Sequence, residues 1–172
     1  MYANRPRIKV ALEPMDMILE SVTAALLVIL WVYTLISYTS LPEIVPTHVN
    51  LTGEVDGTGN KTTIWFLLGI STLITIGMYV LTKFPHIHNY MVKITEDNAA
   101  HNYQLSSRML RIVNFLTLLL LAYVCYSIIQ QAQGNDFFLK SALMYIIIAY
   151  SVMMPIVLIV FMLKNQKAPK SK

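Results

Sequence analysis

The sequence predicts an all-α membrane protein, a bundle of four transmembrane helices with an ordered extracytoplasmic loop between the first two. Among its 172 residues, 56% are hydrophobic and only 13% are charged, whereas soluble domains average about 25% charged. The apolar residues also gather in four runs, each near the roughly 20 helical residues that cross a hydrocarbon core about 30 Å thick. Because so short a chain has little interior, lipid is the expected solvent for this apolar surface.

Four helices are predicted, and only the break between the third and the fourth is short. They cover about residues 17–38, 63–82, 109–130 and 138–163. Pro14 suits the first turn of the first helix, where a missing N–H is tolerated. Pro85 ends the second helix, because proline cannot continue a helical hydrogen-bond ladder. Gly69 and Gly77 are eight residues apart on the second helix, so they share a face and predict close packing there.

A polar helix is expected to precede the third transmembrane segment. Thr95 can cap its start, and Glu96 and Asp97 suit the positive end of a helix dipole. If this helix is unbroken, its first turns must stand out of the membrane. We assign residues 1–163 to a single transmembrane domain and residues 164–172 to a basic, disordered tail.

The positions of the basic residues predict the orientation of the bundle. Eleven of the thirteen Lys and Arg residues fall on one side: Arg5, Arg7, Lys9, Lys83, Lys93, Arg108, Arg111, Lys164, Lys167, Lys170 and Lys172. The positive-inside rule places this side, with both termini, in the cytoplasm and residues 39–62 outside. Because the basic residues flank apolar runs, we expect a lipid bilayer as their partner and no nucleic acid.

The outer loop is too long for a simple connection between helices, and long loops are usually functional or disordered. Its prolines, glycines and partly alternating apolar residues indicate an ordered cap with short extended pieces and turns. Its candidate site residues are His48, Asn50, Gly53, Asp56 and Lys61. They form either a polar site for a peptide or a metal ion, or a set of side chains that hydrogen-bond the loop backbone. No metal ligand is assigned from this pattern.

The same loop resembles the signature of a bacterial membrane family. The residues that carry the resemblance are Leu41-Pro42, Pro46, His48-x-Asn50, Gly53, Asp56-Gly57 and Lys61. The family is the poorly characterised domain at the N-terminus of SdpI-type immunity proteins, which act against a secreted toxic peptide. Lys93–Ala99, followed by Tyr103 and Arg108, is similar to the family's segment before the third helix. The resemblance implies a non-enzymatic protein of the bacterial cytoplasmic (inner) membrane that senses or neutralises a peptide, with roles in immunity or signalling.

Four polar residues inside the apolar runs form a second candidate site, because burying such groups in lipid is unfavourable. Glu20 is predicted at the same depth as Arg108 and Arg111, so we expect it to pair with one of them. Asn114 lies one turn further in and is the candidate fourth member. The group is either a proton or ion path, or a structural ion pair that fixes helix packing.

Three functions remain open from the sequence. The first is a protein that binds a peptide or a partner through its outer loop, and the second is an accessory subunit of a larger membrane complex. The least supported is a metal-dependent membrane enzyme or transporter, because Glu20 and the outer loop are predicted about 30 Å apart along one helix. His86, His88 and His101 could approach one another and hold zinc. No catalytic residue or cofactor is assigned, because phosphate-loop and dinucleotide motifs are lacking.

Overall fold

The computed structural model describes residues 5–50, 54–135 and 142–169. Over these residues the fold class is confirmed, and each helix is long and apolar enough to cross a membrane. The helices are α1 (Pro14–Tyr38), α2 (Thr63–Leu81), α3 (Glu96–Ala132) and α4 (Leu143–Asn165), and the strands are β1 (Ile44–Val49) and β2 (Val55–Asn60). A single 3₁₀ turn, Pro85–Ile87, lies between α2 and α3 in the described chain. The predicted start of the fourth helix, residues 138–141, lies outside the described residues.

Helix α3 is the centre of the bundle. Helices α1 and α2 pack mainly on α3 and touch each other much less, while α4 contacts α3 at the edge. One apolar core joins α1, α2 and α3: Leu30, Leu41, Ile64, Leu68, Leu118, Cys125 and Ile129. None of the side chains described in α4 is fully buried. The described chain is therefore a three-helix bundle with a fourth helix along one side.

Helix α3 is unbroken from Glu96, where the sequence predicts its start. Thr95 is the N-cap residue, and its backbone N–H donates to Asn98 Oδ1 at 2.9 Å. With 37 residues, the helix is about 55 Å long at about 1.5 Å per residue. It is therefore longer than the hydrocarbon core is thick.

Residues 5–13, residues 165–169 and the connection between α2 and α3 meet at one end of the bundle. Arg5 Nη1 donates to the backbone carbonyls of His86, at 3.0 Å, and His88, at 2.6 Å. The Tyr103 hydroxyl donates to the carbonyl of Pro6 at 2.9 Å. A small apolar core around Ile94, Ala99 and Tyr103 lies at this end. We call this end, with the adjoining first turns of α1 and α3, the basic end (residues 5–20, 82–111 and 165–169). The opposite end, which carries β1 and β2, is the hairpin end.

The described part of the segment predicted as a disordered tail contacts the bundle. Helix α4 continues to Asn165, and the backbone of Lys167 is bound by two amide side chains of α3. Asn102 accepts from the Lys167 N–H at 3.0 Å and donates to its carbonyl at 2.9 Å, and Asn98 donates to the same carbonyl at 2.9 Å. Both asparagines are almost completely buried, and buried amides need hydrogen-bond partners. Residues 170–172 lie outside the described residues.

Candidate functional site

The outer loop folds as an antiparallel hairpin of β1 and β2. Val45 lies opposite Gly59, and His48 lies opposite Gly57. Val45 is fully buried and Leu41 is nearly so, which anchors the hairpin to the apolar core. The prediction of an ordered loop built from extended pieces is therefore confirmed.

Two glycines let the strands approach closely. A Cβ atom on Gly57 would lie 2.9 Å from His48 Cβ, and one on Gly59 would lie 2.9 Å from Thr47 Cγ2. Both distances are shorter than carbon atoms tolerate, so a larger residue at either position would push the strands apart. The third glycine of the loop, Gly53, lies in residues 51–53, outside the described chain.

His48 and Asp56 bind each other across the hairpin. His48 Nδ1 lies 2.5 Å from Asp56 Oδ1, and the two side chains are 68% and 45% exposed. One of the two predictions was that both side chains hydrogen-bond the loop backbone. In the structure they bind each other instead. The pair therefore presents a polar, solvent-accessible surface on the hairpin.

Asn50 joins the two ends of the hairpin's tip. Its backbone N–H donates to the Glu54 carbonyl at 2.9 Å. Its side-chain oxygen accepts from the Glu54 N–H at 3.0 Å. These reciprocal bonds hold the ends of the turn together, a common role of asparagine in loops.

Lys61 ties the base of the hairpin to the end of α1. Its Nζ lies 2.9 Å from Glu43 Oε1 and 5.3 Å from the centre of the Tyr38 ring. Its backbone N–H also donates to the Glu43 carbonyl at 2.9 Å. The hydrogen bond to the Glu43 carboxylate raises the pKa of Lys61. Lys61 thus positions the hairpin.

A recess lies between β1 and the helices α3 and α4. Its volume is about 190 Å³, and it is lined by Pro46–Val49 of the hairpin and by Ser127, Gln131 and Ile147, among others. Gln131 Oε1 is buried there and accepts no hydrogen bond from the described residues. The recess therefore combines apolar walls with an acceptor for which the described residues supply no donor, and His48 of the His48–Asp56 pair lines it.

The second candidate site lies at the basic end, and its predicted ion pair is confirmed. Arg111 Nε donates to Glu20 Oε1 at 2.8 Å. Lys83 Nζ lies 3.4 Å from the same oxygen. Arg111 is only 7% exposed, so its charge depends on this carboxylate for compensation.

The partners of Arg108 were missed by the sequence interpretation. Arg108 Nε donates to Asp16 Oδ1 at 3.0 Å, and its Nη2 also donates to Glu13. Asp16 is fully buried and accepts a further bond from Gln104 Nε2 at 2.8 Å. The spacing of the acidic residues could have predicted this contact. Asp16 and Glu20 are four residues apart on α1, so they share one face of the helix, and Glu20 was already expected to face α3. We call Glu13, Asp16, Glu20, Lys83, Arg108 and Arg111 the ion-pair network; its three carboxylates balance its three cations.

Asn114 does not join the ion pairs as predicted. Its Nδ2 donates to the Thr75 carbonyl of α2 at 3.1 Å. Its Oδ1 is buried and accepts no bond from the described residues. The residue instead lines a cavity shared with Glu20 and Arg111, because one turn of α3 places it beyond the reach of the Glu20 carboxylate.

Two of the three histidines considered for zinc, His88 and His101, make side-chain hydrogen bonds at the basic end. His88 Nδ1 lies 3.1 Å from Ser106 Oγ, and its Nε2 lies 3.0 Å from the Leu81 carbonyl. Burial lowers the pKa of His88. His101 Nε2 lies 3.0 Å from the Asn165 carbonyl. Across the described ranges, no three His, Cys, Asp or Glu residues are grouped in a way that could hold a metal ion.

The fold and these sites define an integral membrane protein whose first two helices are joined by a structured hairpin. Residues 25–72 match a domain of unknown function, DUF1648. This match runs from α1 through the hairpin into α2.

One curated relative matches part of the chain. An uncharacterized protein of Archaeoglobus fulgidus is 34% identical over 64 residues, which are 36% of this chain and 35% of that protein. The chain thus spans about a third of the length of the curated relative that it matches. No solved structure matches the chain.

Proposed function

We propose that this protein is a non-enzymatic membrane receptor that binds a peptide or a partner protein through its hairpin, as the resemblance to SdpI-type immunity proteins implies. The observation that carries the proposal is the recess of about 190 Å³ beneath β1. It is formed by a hairpin that the bundle holds in place through Val45 and Lys61. Its apolar walls with few polar groups are typical of ligand sites. Its volume is below the roughly 300–1,000 Å³ of small-molecule sites, so it fits one side chain of a larger ligand.

The chemistry of the recess suits an extended peptide. A two-stranded sheet has outer edges whose backbone groups can pair with an added strand. Gln131 Oε1 offers an acceptor to a peptide N–H. The exposed His48–Asp56 pair lies at the mouth, where it can meet polar side chains of the ligand.

The orientation proposed for the receptor places the hairpin outside a bacterial cytoplasmic membrane and the basic end inside. The basic residues described at one end of the bundle support it through the positive-inside rule. A Val55→Cys variant tests it, because the chain has one native cysteine, Cys125, and that residue is buried. A membrane-impermeant maleimide should label Val55→Cys in intact cells, and labelling only after lysis would reverse the orientation.

A photo-crosslinking amino acid at Ile147 tests the binding proposal. Ile147 lines the recess, whereas its neighbour Ile148 is 45% exposed and does not line it. In cells that make the ligand, a peptide or protein should crosslink at position 147 and not at 148. A His48→Ala substitution should weaken the crosslink. Equal crosslinking at both positions, or capture of lipid alone, would contradict the proposal.

A second candidate, the accessory subunit of a larger complex, rests on α4. Its described side chains are not buried by the rest of the described chain, so a partner's helices could cover them. In that case the crosslinker at Ile148 should capture a large membrane protein that also co-purifies in stoichiometric amount in mild detergent. A receptor should show neither.

A further inference from the structure

A larger cavity lies within the bundle, away from the hairpin. Its volume is about 390 Å³, and α1 and α2 form its walls while α3 forms its floor. Glu20, Arg111 and Asn114 line its polar part, and Leu27 and Ile76 are among its apolar lining. This volume lies within the range of small-molecule sites in proteins.

The mouth of this cavity faces outward between α1 and α2. These two helices touch each other little, and residues at the cavity edge are exposed, including Ala24 and Ile76. Both helices are long and apolar enough to cross a membrane. The mouth therefore faces the hydrocarbon region, and a molecule entering it comes from the lipid.

One polar atom in the cavity lacks a partner. Asn114 is 6% exposed, and its Oδ1 accepts no hydrogen bond from the described residues. Its Nδ2 is already engaged by the Thr75 carbonyl. Since leaving a buried acceptor unpaired is unfavourable, the site favours an occupant that donates a hydrogen bond.

The charges around the cavity favour a neutral occupant. Arg111 and Lys83 are both engaged by Glu20. The ion-pair network as a whole has three carboxylates and three cations. A phosphate placed here would meet the Glu20 carboxylate without an uncompensated cation, and a charge buried without a partner is strongly disfavoured.

We propose that this cavity binds a lipid with a neutral, hydroxyl-bearing headgroup. The headgroup hydroxyl donates to Asn114 Oδ1, and the acyl chain leaves between α1 and α2 along the apolar wall. This site is separate from the hairpin and does not rest on the proposed receptor function.

The test uses the full chain reconstituted in phosphatidylcholine nanodiscs with a photoreactive diacylglycerol. Ala24→Trp fills the mouth of the cavity, while Ala25→Trp adds the same side chain at the next, exposed position, which does not line it. The expected result is labelling of α1–α3 peptides in the native chain and in Ala25→Trp, and its loss in Ala24→Trp. Equal labelling of the two variants would overturn the site.

Two further comparisons test the chemistry of the headgroup. Asn114→Leu should weaken diacylglycerol labelling about fivefold, the effect of one neutral hydrogen bond. A phosphatidic acid carrying the same photoreactive chain should label the native protein less than diacylglycerol does. Labelling by phosphatidic acid that equals or exceeds that by diacylglycerol would overturn the neutral-headgroup proposal, as would unchanged labelling of Asn114→Leu.

Discussion

The two ends of the bundle differ in how far their paired polar side chains are exposed to solvent. At the hairpin end, His48 and Asp56 form a pair that is largely open to solvent. At the basic end, Asp16 is fully buried and Arg111 nearly so. An exposed pair contributes at most about 1 kcal/mol to stability, whereas breaking a buried pair removes about 3–5 kcal/mol. His48 and Asp56 can therefore be exchanged with little loss of stability, whereas Asp16 and Arg111 are required for the fold.

The largest effect is expected from Asp16→Ala. This change leaves Arg108 without its main partner and removes the acceptor used by Gln104. We expect a loss of about 3 kcal/mol in the free energy of unfolding, the lower end for breaking a buried ion pair. Arg108 keeps its bond to Glu13, and the buried Arg111 loses one of its two carboxylates but keeps Glu20. Reversible unfolding in mixed micelles measures it. Glu13→Gln is the control, since the Glu13 side chain is 56% exposed and its loss should cost well under half as much; equal losses would contradict the buried network as the source.

The next largest effect is expected at Gly57. In Gly57→Ala the new Cβ meets His48 Cβ, and we expect a loss of about 1–3 kcal/mol from overpacking. Faster proteolysis within the hairpin, with the helices intact, would show that the effect is local. Gly69→Ala is the matched control, because no atom lies within 4 Å of the position of its Cβ in the described chain. A similar effect of both substitutions would refute the close strand approach.

A pH effect should mark the basic end. Burial lowers the pKa of His88 in the folded protein from its usual 6.5. The unfolded chain therefore binds this proton more readily, and stability should fall as the pH drops below about 6.5 towards the lower folded pKa. Unfolding measured at pH 7.5 and 5.5, each within about 1 unit of the reference pKa, should show the loss. His88→Gln should flatten this pH dependence, and an unchanged dependence would assign it to other groups.

The smallest stability effect is expected at the hairpin pair. Asp56→Asn should change the free energy of unfolding by less than about 1 kcal/mol, because both partners are exposed. The same variant should reduce crosslinking from Ile147 if the pair contacts the ligand. A large loss of stability would mean that the pair supports the fold. The hairpin pair and the buried ion pairs would then not differ in their contribution to stability.

The sequence was most informative where a physical constraint acts on long stretches. Four apolar runs predicted the transmembrane helices, because lipid requires long apolar helices. Glu20 and Arg111 were paired correctly, because both lie at matching depths where an uncompensated charge is unfavourable. Glu96 was recognised as the start of a helix from its capping residue.

The sequence was least informative where contacts join distant backbone. Asn98 and Asn102 bind the backbone of Lys167. Every residue type has the same backbone groups, so the sequence does not indicate which residue is the partner. Asp16 was overlooked because its position near the end of a helix also fits a solvated residue. The close packing predicted for Gly69 and Gly77 was wrong within the described chain, since both face open space; sharing a helical face does not say which face meets a neighbour.

The continuity of α3 has a mechanical consequence. This helix is about 55 Å long. Gln131, which lines the recess, lies near one end. Asn98 and Asn102, which hydrogen-bond the backbone of Lys167, lie near the other. If the helix tilts as a rigid body by about 3°, one end moves relative to the other by about 3 Å over its length of about 55 Å. That displacement matches the length of a hydrogen bond. A change of tilt at the hairpin end would therefore also move the contacts that Asn98 and Asn102 make with Lys167.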